Sequence, residues 1–74
     1  MENVTVQKCL GSAMRTRRQG LGLSQEAFAD SLGMHRAYYS ALERGEKNLT
    51  VQTLARVAGA LKTTIAVLAK DAAV

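Results

Sequence analysis

Apolar residues recur along this chain at helical spacing. The clearest run is Leu54, Val57, Ala58 and Leu61. Positions i, i+3, i+4 and i+7 fall on one face of a helix, which predicts a helix over 51–61. Val6, Leu10 and Met14 are each four apart. They predict a buried stripe on a first helix over 6–19, bordered by Cys9 and Ala13. Phe28, Ala29 and Leu32 share one side of a short helix over 25–32. Tyr39 and Leu42, and Tyr38 if its ring turns inward, give the next helix its apolar face. A last short helix is expected over 65–69, opening at Ile65. The chain has no proline and no alternating run of β-branched residues. Nothing in it suggests a sheet, and the expected fold class is all-α with five helices.

Capping residues and glycines punctuate this pattern. Thr5, Ser24, Thr50 and Thr64 each precede a predicted helix. A side-chain hydroxyl there can accept one of the backbone N–H groups left free in the first turn. Gly20, Leu21 and Gly22 break the first helix, and Leu21 or Leu23 is expected to turn inward and anchor the loop. Gly33 and Gly45 stop the second and third helices. Gly11 weakens the first helix without forbidding it. Gly59 is tolerated within the fourth and permits close approach of another helix. Residues 1–5 are expected to be loose and 70–74 to fray.

The stretch 24–45, SQEAFADSLGMHRAYYSALERG, organises the rest. Two short helices joined by so tight a turn must cross steeply, and Ala29 is small enough for a close crossing. One helix then stands out as a ridge, a shape suited to the major groove of DNA. Generic packing of a small helical protein is the plainer alternative.

Composition narrows the choice. Seventy-four residues suffice for a single domain, expected to span 1–74. Ten Lys and Arg against six Asp and Glu give +4, a balance that favours polyanions. Most of the surplus lies in residues 1–20, where Lys8, Arg15, Arg17 and Arg18 face only Glu2. Cys9 is the only cysteine, so no internal disulfide and no Cys/His metal cluster can form. Cys9 itself reads as a small buried or half-buried residue rather than a reactive thiol. A reducing, cytoplasmic setting fits. No apolar segment approaches the ~20 residues that span a bilayer, and no membrane partner is expected. No nucleophile–base set, phosphate-cradling glycine loop or paired carboxylate accompanies Glu43. The chain is expected to be no enzyme, and to use no metal, cofactor or small-molecule substrate.

If the third helix enters the groove, its free face carries the base readers. Arg36, Ala37, Ser40 and Ala41 are the candidates. A guanidinium can donate two parallel hydrogen bonds to guanine, so Arg36 is the strongest of them. Ser40 can bond to a base edge, and the two alanine methyls can touch thymine. His35, at the start of this helix, is a cap or a phosphate contact. Gln25, beside free backbone donors, can hold a phosphate oxygen. Arg44 and Lys47 can clamp the flanking backbone. Tyr38 either packs at the core's edge or reaches a phosphate through its hydroxyl.

These residues resemble the Cro/phage-repressor type of helix-turn-helix regulator. The resemblance runs from about Met14 to Ala69. It rests on Gly22-Leu23-Ser24-Gln25, Ala29, Gly33, the run from Tyr39 to Gly45, and Leu54 through Leu61. Alanine four before the turn glycine and an apolar residue six after it are the family's structural signature. The resemblance implies a compact five-helix, lambda-repressor-like domain that binds double-stranded DNA. It also implies a homodimer on a pseudo-palindromic operator, its two reading helices one turn of DNA apart. Gln25 matches a glutamine that contacts phosphate, and Arg36, Ala37, Ser40 and Ala41 match base-reading positions. Arg18 and Glu43 match an arginine–glutamate pair tying the first helix to the third. Small standalone regulators, including controllers of restriction–modification systems, are similar, as are phage and plasmid regulators.

Three positions depart from the family pattern. Tyr39 stands where Ile or Val is usual, Leu49 where proline is common, and Val67 where the position is normally polar. With Ile65 and Leu68, Val67 is expected to leave apolar surface for a two-fold dimer contact. The alternative function is a protein-interaction or antitoxin-like module on the same fold, with a partner covering that surface.

Overall fold

In the computed structural model, which describes residues 3–74 and side chains from Val6 onward, five helices follow one another. They are α1 (Asn3–Gly20), α2 (Gln25–Ser31), α3 (Arg36–Glu43), α4 (Val51–Ala60) and α5 (Ile65–Ala72). Helix α1 packs along both α3 and α5, while α2 packs on α3 and α4 on α5. Fully buried Met14, Phe28, Ala29, Tyr39, Val57 and Leu68 make the centre, with one or more from every helix. The rings of Phe28 and Tyr39 lie 5.0 Å apart at 60°, a tilted aromatic contact that joins α2 to α3.

The caps form as the sequence predicts at three helices. The hydroxyls of Ser24, Thr50 and Thr64 accept from the N–H groups of Ala27, Thr53 and Val67. The helix ends are alike. At each of the five ends 22, 33, 45, 62 and 73, a residue at positive φ donates to the carbonyl three before it. The next residue then reaches back five, a double bond that satisfies two orphan carbonyls. Gly33 and Gly45 meet this demand without steric cost. Lys62 and Ala73 meet it with φ 61°.

Several local expectations are corrected. Helix α1 begins at Asn3, so Thr5 lies inside it and is not its cap. Residues 3–5 are helical rather than loose, and Met1 and Glu2 lie outside the described residues. Val6 is 44% exposed, and the buried stripe starts with the half-buried Leu10. Neither Leu21 nor Leu23 turns inward; both are exposed. The loop is held instead by its backbone, because Arg18 Nη1 donates to the Leu23 carbonyl at 2.7 Å. Helix α5 continues past residue 69 to Ala72, which is buried. Arg17 Nε donates to Asp71 Oδ2 at 3.0 Å and ties this last turn to α1.

The two helix glycines exchange roles. Gly59 has nothing within 4 Å of where a side chain would start. Gly11 is the close approach. A Cβ there would fall 2.8 Å from the Leu42 carbonyl oxygen and nearer still to that of Glu43. Helix α1 therefore crosses α3 backbone to backbone.

Candidate nucleic-acid interface

Helix α3 has two unlike faces. Tyr39, Leu42 and Glu43 are buried inward. Arg36, Ala37 and Tyr38 are exposed and Ser40 half-buried. Arg36, Ala37, Ser40 and the exposed Arg44 line one shallow depression. Three of the four expected base readers thus share a face. Ala41 does not: it is only 6% exposed. Its methyl is covered by the surrounding packing, so Ala41 offers almost no surface to a base.

A buried ionic network fixes how this face is presented. Arg18 Nε donates to Glu43 Oε2 at 2.7 Å, and Nη2 donates to Oε1 at 3.2 Å. This parallel two-bond pairing is the geometry in which guanidinium and carboxylate bind best. Gln25 Nε2 adds a third bond to Glu43 Oε1 at 3.0 Å. One carboxylate thereby joins α1, the first residue of α2 and the last of α3. Burial by itself would raise the Glu43 carboxyl, but the bonds from Arg18 and Gln25 outweigh it and hold the group below its ordinary value. The bond to Glu43 likewise holds the Arg18 guanidinium above its ordinary value, against the effect of burial. The Tyr39 phenol lies beside the pair. Its oxygen is buried and makes no hydrogen bond of ordinary geometry. Burial first, and then the Glu43 charge, push its ionisation far up. Tyr39 therefore remains a neutral core residue in a slot where the family usually has an aliphatic one.

The remaining expected contacts scatter around α3. His35 occupies the N-cap position, but its side chain makes no capping bond and is exposed. Tyr38 is 39% exposed. Lys47 is exposed on the loop after α3. The Gln25 amide donates one Nε2 hydrogen to Glu43 and keeps a second N–H beside its carbonyl oxygen. The Arg44 guanidinium donates to the Ser40 hydroxyl and, at 3.0 Å, to Glu46 Oε1. Sequence reasoning singled out neither Glu46 nor Lys8, which packs against Gly45 from α1. No motif marks either residue; the tertiary crossing of α1 brings Lys8 there, while Glu46 lies just past the end of α3.

Of the three apolar residues expected to form a dimer contact, Leu68 is fully buried. It is a core residue and unavailable to a partner. Ile65 is half-buried against the core, and Val67 is exposed at 37%. A larger depression of about 790 Å³ lies between α1 and α5, lined by residues including Cys9, Thr16, Arg17 and Asp71. It includes no residue of α3. Among the described residues no His, Cys, Asp and Glu side chains gather into a metal site. No helix there is long and apolar enough to cross a membrane.

The exposed ridge of α3, set against α2 across the Gly33 turn, matches a family model described as helix-turn-helix over residues 14–68. The chain belongs to this Cro/phage-repressor type of helix-turn-helix family. It is 38% identical over 60 residues to the control protein C.SmaI of Serratia marcescens, covering 81% of this chain and 71% of that one. The clp gene regulator ClgR of C. glutamicum superimposes with a TM-score of 0.88 at 32% identity, over 92% of this chain and 87% of its own. The restriction–modification controller protein C.AhdI of Aeromonas hydrophila does so at 0.78 and 32%, over 84% and 94%. The chain is a DNA-binding transcriptional regulator, and its family and these relatives are regulators rather than enzymes.

Proposed function

We propose that this chain is a single helix-turn-helix domain that binds a pseudo-palindromic operator as a homodimer and acts in the cytoplasm. It needs no cofactor. The observation that carries this reading is the depression formed by Arg36, Ala37, Ser40 and Arg44 on the free face of α3. The opposite face of that helix is pinned by Tyr39, Leu42 and the Glu43 network. A rigid rod with polar and methyl groups at successive turns is what base readout in a major groove requires.

In this reading Arg36, Ala37 and Ser40 contact base edges. Arg44, Lys47, His35, the Tyr38 hydroxyl and Gln25 surround them, at the positions where phosphates flank a groove. Gln25 donates to phosphate through the Nε2 hydrogen that Glu43 does not use. Val67, with the exposed part of Ile65, forms the two-fold contact. The similarity to C.SmaI and C.AhdI supports a controller of restriction–modification genes as its cellular setting.

Selection of bound duplexes from a random pool tests the reading. Recovered sites with two-fold symmetry and half-sites about one helical turn apart are expected. Recovery of unrelated sequences, or of single asymmetric half-sites, would overturn the operator and the dimer respectively.

A further inference from the structure

Part of the reading face is already occupied by the chain itself. Arg44 donates to the Ser40 hydroxyl four residues back and to the Glu46 carboxylate two residues on. Its guanidinium is thus folded against the end of α3. Both ends of the Arg44–Glu46 pair are open to solvent, with side chains 53% and 57% exposed.

The surroundings of Glu46 are cationic. Helix α1 crosses directly over the loop after α3, since a Cβ at Gly45 would stand 2.8 Å from the Lys8 backbone. Gln7 Nε2 donates to Asn48 Oδ1 at 3.0 Å and holds the same loop. Lys8, Arg44 and Lys47 therefore surround one carboxylate. The bond from Arg44, with the charges of Arg44, Lys8 and Lys47, keeps the Glu46 carboxyl below its ordinary value. It is an anion at neutral pH, set among these cations.

We propose that Glu46 is an intramolecular competitor for phosphate, holding Arg44 and Ser40 in a self-paired state that DNA must displace. The inference rests on the DNA-binding role and on the placement of Arg44 beside the groove. Displacement is feasible because an exposed pair of this kind is weak, whereas a guanidinium pairs with phosphate through two parallel bonds. The exchange frees the Ser40 hydroxyl to face a base at the moment Arg44 turns outward. The carboxylate left behind offsets one positive charge of the patch. Its cost falls on every duplex, whatever the sequence, because phosphates carry no sequence information.

Binding of a fluorescently labelled random-sequence duplex, measured by anisotropy through a salt series, tests this. Parent, Glu46→Gln, Arg44→Gln and the double variant are compared, with thermal melts to verify that each is folded. Glu46→Gln should tighten binding about three- to tenfold at low salt and steepen the salt dependence by about one unit of log K per log salt. On the Arg44→Gln background the same change should yield less than half that gain. Equal gains on both backgrounds would mean that Glu46 acts only through net charge, and no gain would mean that it does not compete; either overturns the proposal. A folded parent that binds no duplex would instead overturn the DNA-binding placement on which the proposal stands.

Discussion

Arg36 stands at the first position of α3, exposed, with no hydrogen-bond or ion-pair partner among the described residues. Its guanidinium is free to make the two-bond contact that singles out guanine. Such a contact is worth about 1–3 kcal/mol of discrimination against the wrong base. Arg36→Ala should therefore flatten the preference among selected sites by roughly 10- to 100-fold at one base position. Thermal stability should be unchanged, since nothing in the fold leans on this side chain. Competition binding against single-base variants of the selected site is the measurement. A preference left intact at every position would remove Arg36 from the reading set. Glu43 is the opposite kind of residue, buried and fully engaged. Its native carboxyl lies below the ordinary value of 4.5. The native state therefore resists protonation while the unfolded chain accepts it. The stabilisation is complete above that ordinary value and is lost as the pH falls through the depressed native one. Melting temperature should fall on acidification from about pH 5 downward, and more gently in Glu43→Gln. That variant should also be less stable at neutral pH by about 3–5 kcal/mol, because Arg18 keeps a buried charge without its counter-ion. Parallel acid profiles for the two proteins would show that another carboxylate is responsible.

At the scale of elements, the crossing of α1 over α3 sets the height of the reading helix. Gly11 permits it. Alanine at Gly11 has the better helix propensity by about 1 kcal/mol, and in an isolated α1 it would be the stabilising choice. In the folded chain its methyl meets two carbonyl oxygens of α3, one of them from Glu43. Overpacking of this kind costs about 1–3 kcal/mol, and backbone cannot move aside as a side-chain tip can. Gly11→Ala should lower the denaturation midpoint, whereas Gly59→Ala, in open space, should raise it. If both variants are stabilised, the close crossing is absent. The two glycines also show what the sequence could and could not reveal. Helix identity, the caps at Ser24, Thr50 and Thr64 and the turn at Gly33 depend on neighbours within a few residues, so they are legible from local pattern. The roles of Gly11, Gly59, Leu21 and Val6 depend on which distant helix lies opposite, and period alone does not say so. Ala41 and Leu68 failed as contact residues. Leu68 lies within the buried stripe of Ile65 and Ala72, and Ala41 is covered by elements that its own helix does not reveal. The Arg18–Glu43 pair came from family resemblance, and its third member, the Gln25 amide, became visible only with α2 in place.

At the scale of the whole molecule, the proposed two-fold operator asks more than one reading helix can supply, since one helix spans only half of such a site. Under that proposal the domain presents a second copy in fixed register. Helix α5 lies against α1 and α4, on elements other than the α2–α3 pair that carries the readers. Val67 is exposed there, while Leu68 is committed to the core. A two-fold contact brings a surface patch against its own copy, so a charge placed at Val67 enters twice and faces itself. Val67→Glu should therefore give a monomer in sedimentation at micromolar concentration, with the helical content of the parent. Binding to a two-fold duplex should weaken by about 10²-fold or more, the usual gain from joining two sites. Binding to an isolated half-site should change little, because the reading face is untouched. This difference separates dimer loss from damage to α3, which would weaken both duplexes alike. A parent that sediments as a monomer, with Val67→Glu identical to it, would place the two-fold contact elsewhere on the molecule or leave it to form only on DNA.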